Sequence, residues 1–415
     1  MTDKKKHVRM PLYLKEFQCI GGSCEDNCCI SWDVEIDKKT YQKYQQVKDK
    51  ELSQLFRDYI FKNPDSYDHN VDYAMVELTQ NNRCSFLNEK NLCKIQAKFG
   101  HDYLSNVCGT YPRYANEING IIEYSANISC PEAARLILTK KEGIKFSQEE
   151  YHFPSRNIIN TAVNTTEHRG NPMVKYFTEL RDFTILLLQN RKLPLWKRIL
   201  ILGYFYKEFQ ESISKRNDHS LQKLMKSFSE KIERDEWKTE MSAMAANSAM
   251  QFEMISEITR KVNHLTKIDS EKYIRFTEEF SKGLGISAQQ DLEAEGKEYL
   301  RAYEQFYKPF MKNHEYLLEN YLVNYVFGSL FPAAESKKPF EAYMMLLIRY
   351  VLIKYNLIGI SAFRKGLTEG DIVRFIQVFS KAIEHHHTYL ESIAGYMKKK
   401  KYFTLPYAEL LLKSE

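Results

Sequence analysis

Residues 172–190, PMVKYFTELRDFTILLLQN, decide the fold class. Pro172 stands where a helix starts, because its fixed φ suits a first turn and its missing N–H would have no partner there. The run continues to Arg191 without a breaker. Residues 194–215, PLWKRILILGYFYKEFQESISK, follow in the same style, with Pro194 at the first turn. Long, Gly-poor, charged and periodic segments then cover 220–265, 270–284, 287–329, 338–358 and 370–400. No fixed-period repeat marks a solenoid. The pattern predicts an all-α domain over 172–415 with several fully buried helices.

The chain before this domain has another character. Residues 151–171 carry Pro154, NTAVNTTEH and Gly170-Asn171, which is loop chemistry and marks a linker. Residues 1–150 are rich in turn formers: GGSCEDNCC, KNPDSYDHN, TQNNR and NEKN. Short alternations at Trp32–Ile36 and Ala74–Leu78 read as strands, and residues 37–61 read as a helix burying Tyr41, Tyr44, Val47, Leu52, Leu55 and Phe56. Asn119-Gly120 inside YPRYANEINGIIEYSANIS is a two-residue hairpin signal. The expected fold is therefore mainly α: a small mixed α/β head followed by a large all-α helical domain.

All eight cysteines fall in the head: Cys19, Cys24, Cys28, Cys29, Cys84, Cys93, Cys108 and Cys130. The first 20 residues, MTDKKKHVRMPLYLKEFQCI, lack an apolar signal core, and no stretch reaches 18 uninterrupted apolar residues; the richest, Ala342–Ile353, is broken by Arg349. A cytoplasmic protein is expected, without a membrane association. Clustered thiols in a reducing compartment read as metal ligands before disulfides. Four thiolates suit a tetrahedral zinc or an iron–sulfur cluster, and the irregular gaps favour iron–sulfur over zinc. Two to four of the eight are expected to be buried small hydrophobes instead. The radical-type C-x3-C-x2-C triplet is not met, since position 31 is Ser. The net charge of +6 is modest and sits partly in terminal lysine runs, which argues against a nucleic-acid partner.

Cys24-Glu25-Asp26-Asn27-Cys28-Cys29, Cys84-Ser85-Phe86-Leu87, Cys93-Lys94-Ile95 and Cys108-Gly109-Thr110-Tyr111-Pro112-Arg113 together resemble a zinc- or iron-chelating cysteine-cluster domain. With Ser129-Cys130-Pro131-Glu132-Ala133-Ala134-Arg135 and the helical Glu319-Asn320-Tyr321-Leu322-Val323-Asn324-Tyr325, the chain looks like the bacterial flagellin lysine-N-methylase family over most of its length. That resemblance implies an S-adenosylmethionine-dependent protein-lysine N-methyltransferase acting on flagellin, with a bound metal centre, a 4Fe-4S cluster in preference to zinc. The rival classes are a non-catalytic metal-binding adaptor and an iron–sulfur redox protein. No acidic G-x-G-x-G loop follows a strand, and Gly283-Leu284-Gly285 is a lone G-x-G between helical stretches.

Other residues carry two readings each. Tyr111-Pro112-Arg113 is either a turn with Arg113 on a surface carboxylate, or a group placing Arg113 at the metal or on a cofactor carboxylate. Arg349 within AYMMLLIRYVLI is either paired inside a buried helix or bound to an anionic ligand. Asn320 and Asn324 share a helix face, for a polar cleft or for inter-helix hydrogen bonds, opposite a stripe of Leu318, Tyr321, Leu322 and Tyr325. Glu315 and Glu319 read as an exposed pair, and His385-His386-His387 as a solvated helix face. Nothing singles out a catalytic base.

Overall fold

The computed structural model describes residues 5–80, 82–154, 156–215, 221–237, 248–266, 268–286, 291–385 and 387–413. The chain divides into two compact units: Met1–Leu136 with Lys145–Val163, and Ile137–Ile144 with Asn164–Glu415.

The first unit is the mixed head. Its strands are β1 (Lys5–Pro11), β2 (Glu35–Ile36), β3 (Ile60–Lys62), β4 (Ala74–Val76), β5 (Arg113–Ile118), β6 (Ile121–Ala126), β7 (Phe146–His152) and β8 (Ile159–Val163). Five of them form a sheet in the order β7-β1-β6-β5-β8, and the other three a small sheet in the order β2-β4-β3. The predicted hairpin is β5–β6, closed with Ile118 opposite Ile121. Its turn residues Asn119 (φ 51°) and Gly120 (φ 81°) are both left-handed, as a type I′ turn requires. The stretch with linker chemistry supplies β8, which runs parallel to β5. Its run Asn160-Thr161-Ala162 lies on the sheet edge, and Asn and Thr hide the strand from a turn-residue reading.

The helix expected over 37–61 is two helices, Lys38–Tyr44 and Lys50–Tyr59. Asp37 and Asp49 each cap one by accepting a backbone N–H, so Asp49 restarts the helix where a continuous one would pass through. The apolar residues named from the periodicity still converge. Tyr44, Leu52 and Phe56 join the core beside Cys84 and Phe86, with Tyr41, Val47 and Leu55 against it.

The second unit is helical throughout its described elements, as the 172–415 pattern predicts. Its central helix, Pro339–Arg364, is long and apolar enough to cross a membrane by length and composition, and 94% of its most apolar window is buried by the protein itself. It packs against the helices Leu195–Ser214, Glu271–Gly283 and Leu292–Ala302. Gly283 belongs to this packing and not to a ligand loop: a Cβ there would stand 2.2 Å from the Gly359 carbonyl. Reciprocally, a Cβ on Gly359 would stand 2.2 Å from Phe280. Gly359→Ala must therefore displace the buried Phe280 ring at the helix crossing, with an expected loss of about 1–3 kcal/mol. Urea unfolding checks this; an unchanged midpoint would show that the contact relaxes freely.

Candidate functional site

Two polar groups stand out, one in each unit. In the head, three chain segments bring thiols together. Cys29 presents its carbonyl to the Cys84 N–H at 2.9 Å, Cys93 pairs with Leu87 across a β-bridge, and Cys108 lies in the short helix Asn106–Thr110 capped by Ser105. Cys29, Cys93 and Cys108 pack on the core that contains Cys84. Cys28 lies beside Cys29, their Sγ atoms 3.9 Å apart. These five thiols are within electrostatic reach of one another. Cys24 and Cys130 form a flank that reaches Cys28, while Cys19 is exposed. None of the eight carries a disulfide.

Burial pushes the Cys84 thiol up to about 11 and the Cys108 and Cys130 thiols up to about 12. Cys29 is also raised, first by its hydrogen bond with Cys28 and then by burial. Each side chain is therefore held as a thiol at neutral pH. Among the described residues, no three His, Cys, Asp or Glu side chains are gathered closely enough to hold a metal ion. The expected metal ligands are thus neighbours without forming a ligand set as they stand. The contrast has a physical origin: uncharged thiols pack as small hydrophobes, whereas thiolates converge only around a cation.

Tyr111 joins this group. Its hydroxyl meets Ser129 Oγ at 3.0 Å, and its ring stands edge-on to Trp32 at 5.4 Å, whose indole N–H donates to the Cys28 carbonyl. Arg113 points elsewhere and donates to the Phe17 carbonyl at 3.2 Å, with its guanidinium over the Phe17 ring. The Phe17 carbonyl takes the place of the surface carboxylate of the first of the two Arg113 readings.

In the helical unit, Glu319 corrects the expectation of an exposed pair. Its side chain is 1% exposed and accepts from Arg191 (2.8 Å) and from Arg198 (2.7 Å), the latter itself 2% exposed. Glu315 is partly exposed, accepts the Leu195 N–H at 3.1 Å and faces Arg198; burial raises its carboxyl against the pull of that arginine. Asn320 donates to the Leu138 and Lys140 carbonyls at 3.0 and 2.8 Å, a structural use. The helix Tyr316–Gly328 is buried nearly all round, so its Asn face lies in the core instead of opposite an apolar stripe. Of the histidine run, His385 ends a π-helical turn, and His386 and the His387 side chain lie outside the described residues.

Arg349 is the second polar centre. Its guanidinium lies over the Tyr325 ring at 4.3 Å, 3.4 Å from Glu335 and 3.6 Å from Glu384, and donates to the Met345 carbonyl at 3.0 Å. Tyr321 donates its hydroxyl to Glu384. Burial opposes the Arg349 charge, while Tyr325, Glu335 and Glu384 hold it protonated. Sequence reasoning found Arg349 and missed both glutamates. Glu335 sits in an irregular turn and Glu384 in the π-helical turn Ser380–Glu384, positions that no helical periodicity marks.

The class so defined is a two-unit, mainly α protein, with a thiol-rich α/β head and a helical domain that buries charged groups in its core. The chain belongs to the FliB lysine N-methylase family, whose C-terminal domain matches residues 181–411, within the helical unit. A protein named lysine-N-methylase from Salmonella typhimurium is 22% identical over 409 residues, covering 94% of this chain and 96% of the relative. Its counterpart from Salmonella choleraesuis matches to the same extent. The flagellar biosynthetic protein FliU of Salmonella muenchen is 27% identical over 147 residues, 35% of this chain and 86% of that protein. No solved structure matches.

Proposed function

We propose that this protein transfers methyl groups from S-adenosylmethionine to the ε-amino groups of flagellin lysines in the cytoplasm, before the filament protein is exported. The observation that carries the reading is similarity along nearly the whole chain to proteins named lysine-N-methylase, covering 94% of its residues. The name of the FliU relative adds the flagellar context. Methyl transfer needs a neutral amine aligned with the sulfonium methyl group, and so a pocket that strips water and accepts a proton. The helical unit carries tyrosines and carboxylates of the kind this chemistry uses, with Tyr321 buried and Tyr325, Glu315 and Glu384 partly so. Of the residues proposed at the cofactor, Arg113 also donates to the Phe17 carbonyl, Tyr111 meets Ser129, and Arg349 donates to Glu335 and the Met345 carbonyl.

The finer proposal for the head is a Cys-ligated metal centre, iron–sulfur in preference to zinc, at Cys28, Cys29, Cys84, Cys93 and Cys108. Its support is donor chemistry. Five soft ligands are neighbours on and beside the head core. When bound, such a centre would cross-link the separate segments of the head. No step of the transfer is routed through it.

Purified flagellin incubated with the protein and methyl-labelled S-adenosylmethionine should become labelled on lysine, as peptide mass spectrometry reads. Absence of label, with the protein folded and its metal content measured, would sink the methyltransferase reading and leave the adaptor and redox classes standing.

A further inference from the structure

Cys28 and Cys29 adjoin in sequence, but adjacency alone does not bring two thiols together. Successive side chains of an extended chain point to opposite faces, whereas these two Sγ atoms stand 3.9 Å apart, within hydrogen-bonding range for sulfur. Hydrogen bonds pin the backbone that holds them so. The Cys29 N–H donates to Asn27 Oδ1 at 2.8 Å, the Cys29 carbonyl accepts the Cys84 N–H at 2.9 Å, and the Cys28 carbonyl accepts the Trp32 indole N–H. Just beyond, the Ser31 N–H donates to the Asn82 carbonyl at 2.8 Å.

The two thiols differ in access. Cys28 is exposed, and Cys29 is half-buried against the core of the head. Other thiols are differently placed: the Cys24 thiol donates to the Asp26 carbonyl at 3.1 Å, and Cys84 and Cys130 are buried. An oxidant arriving from solvent therefore meets Cys28 first, with the Cys29 thiol in reach behind it.

We propose that Cys28 and Cys29 form a peroxide-responsive dithiol pair, in which Cys28 takes the oxidant and Cys29 closes a disulfide onto it. The Cys28 sulfur attacks the peroxide O–O bond and becomes a sulfenic acid, and the departing hydroxide leaves as water with the thiol proton. The Cys29 sulfur then displaces the sulfenic hydroxyl, which leaves as a second water with the Cys29 proton. Two thiols lose two electrons, and one hydrogen peroxide gains them. The product is strained, because adjacent Cα atoms lie about 3.8 Å apart while unstrained disulfides span roughly 4.4–6.8 Å. Strain makes the bond easy to reduce, which suits a switch and not a structural staple. A disulfide also withdraws two of the five thiols proposed to hold metal, so oxidation and metal binding exclude each other at this pair.

Treating the full-length protein with hydrogen peroxide, blocking the remaining thiols with a maleimide after denaturation and reading the peptides by mass spectrometry tests the pairing. Cys28 and Cys29 should appear joined within one peptide, with every other cysteine blocked, and reduced glutathione should reopen the bond. In Cys29→Ser a sulfenic acid should persist on Cys28 and be trapped by dimedone, while in Cys28→Ser the Cys29 thiol should stay blockable. Cys28 joined to a different cysteine, or both thiols still blockable under excess peroxide, overturns the proposal. A sulfenic acid trapped on Cys29 in the Cys28→Ser protein overturns the assigned order of attack. Metal content in the same samples scores the proposed metal centre separately, and neither result depends on flagellin labelling.

Discussion

Glu319→Ala is expected to destabilise the helical unit by about 3–5 kcal/mol, a large part of the 5–15 kcal/mol that typically holds a protein folded. The carboxylate is 1% exposed and accepts from two arginines, Arg191 and Arg198. Without it, Arg198, 2% exposed, retains Glu315 at 3.4 Å and the Leu188 carbonyl. Its Nε already lacks a partner. A guanidinium stripped of water and of its strongest counter-ion is the situation in which breaking a buried pair costs most. The double variant Glu319→Leu with Arg198→Met should recover much of the loss, because it removes both charges instead of stranding one. Equilibrium urea unfolding of the three proteins reads the effect. A single-variant loss below about 1 kcal/mol would place the pair with weak surface bridges.

Cys108→Ser and Cys84→Ser are expected to abolish metal binding under the proposal made for the head, while Cys19→Ser leaves it intact. Cys84 and Cys108 lie in the five-thiol group on the head core, and Cys19 is exposed away from it. Structural metal binding to thiolates is worth on the order of 10 kcal/mol at neutral pH, so its loss should also unfold the head. The measurement is metal and sulfide content with the absorption spectrum of anaerobically purified protein, joined to hydrogen exchange over residues 28–110. A brown protein in the Cys19 variant and a colourless one in the other two is the expected result. Equal metal in all three, or none in the unaltered protein, would overturn the assignment. Zinc in place of iron would overturn the preference for iron–sulfur alone.

The parts of this molecule that were legible from sequence are those whose physics is local. Asn119-Gly120 demands two left-handed residues and so a hairpin, wherever it occurs. The apolar spacing from Tyr41 to Phe56 placed those side chains on one core, even though Asp49 splits the helix. The same spacing rule failed at Glu315 and Glu319. Residues four apart share a helix face, but whether that face meets water or Arg198 depends on a partner more than 100 residues away in the chain.

The sequence by itself determined the class: a cysteine-rich mixed head, a long helical domain, and a likeness to lysine methylases, which the family match places in residues 181–411. Those follow from residue type and short spacing, which act before the chain is folded. Only the tertiary structure decided which thiols are neighbours, that Gly283 and Gly359 serve a helix crossing, and that Arg349 stands between Glu335 and Glu384. Each of these is a meeting of segments distant in sequence. Burial then sets its energy, because a charge or a thiol removed from water is governed by whatever the fold brings beside it.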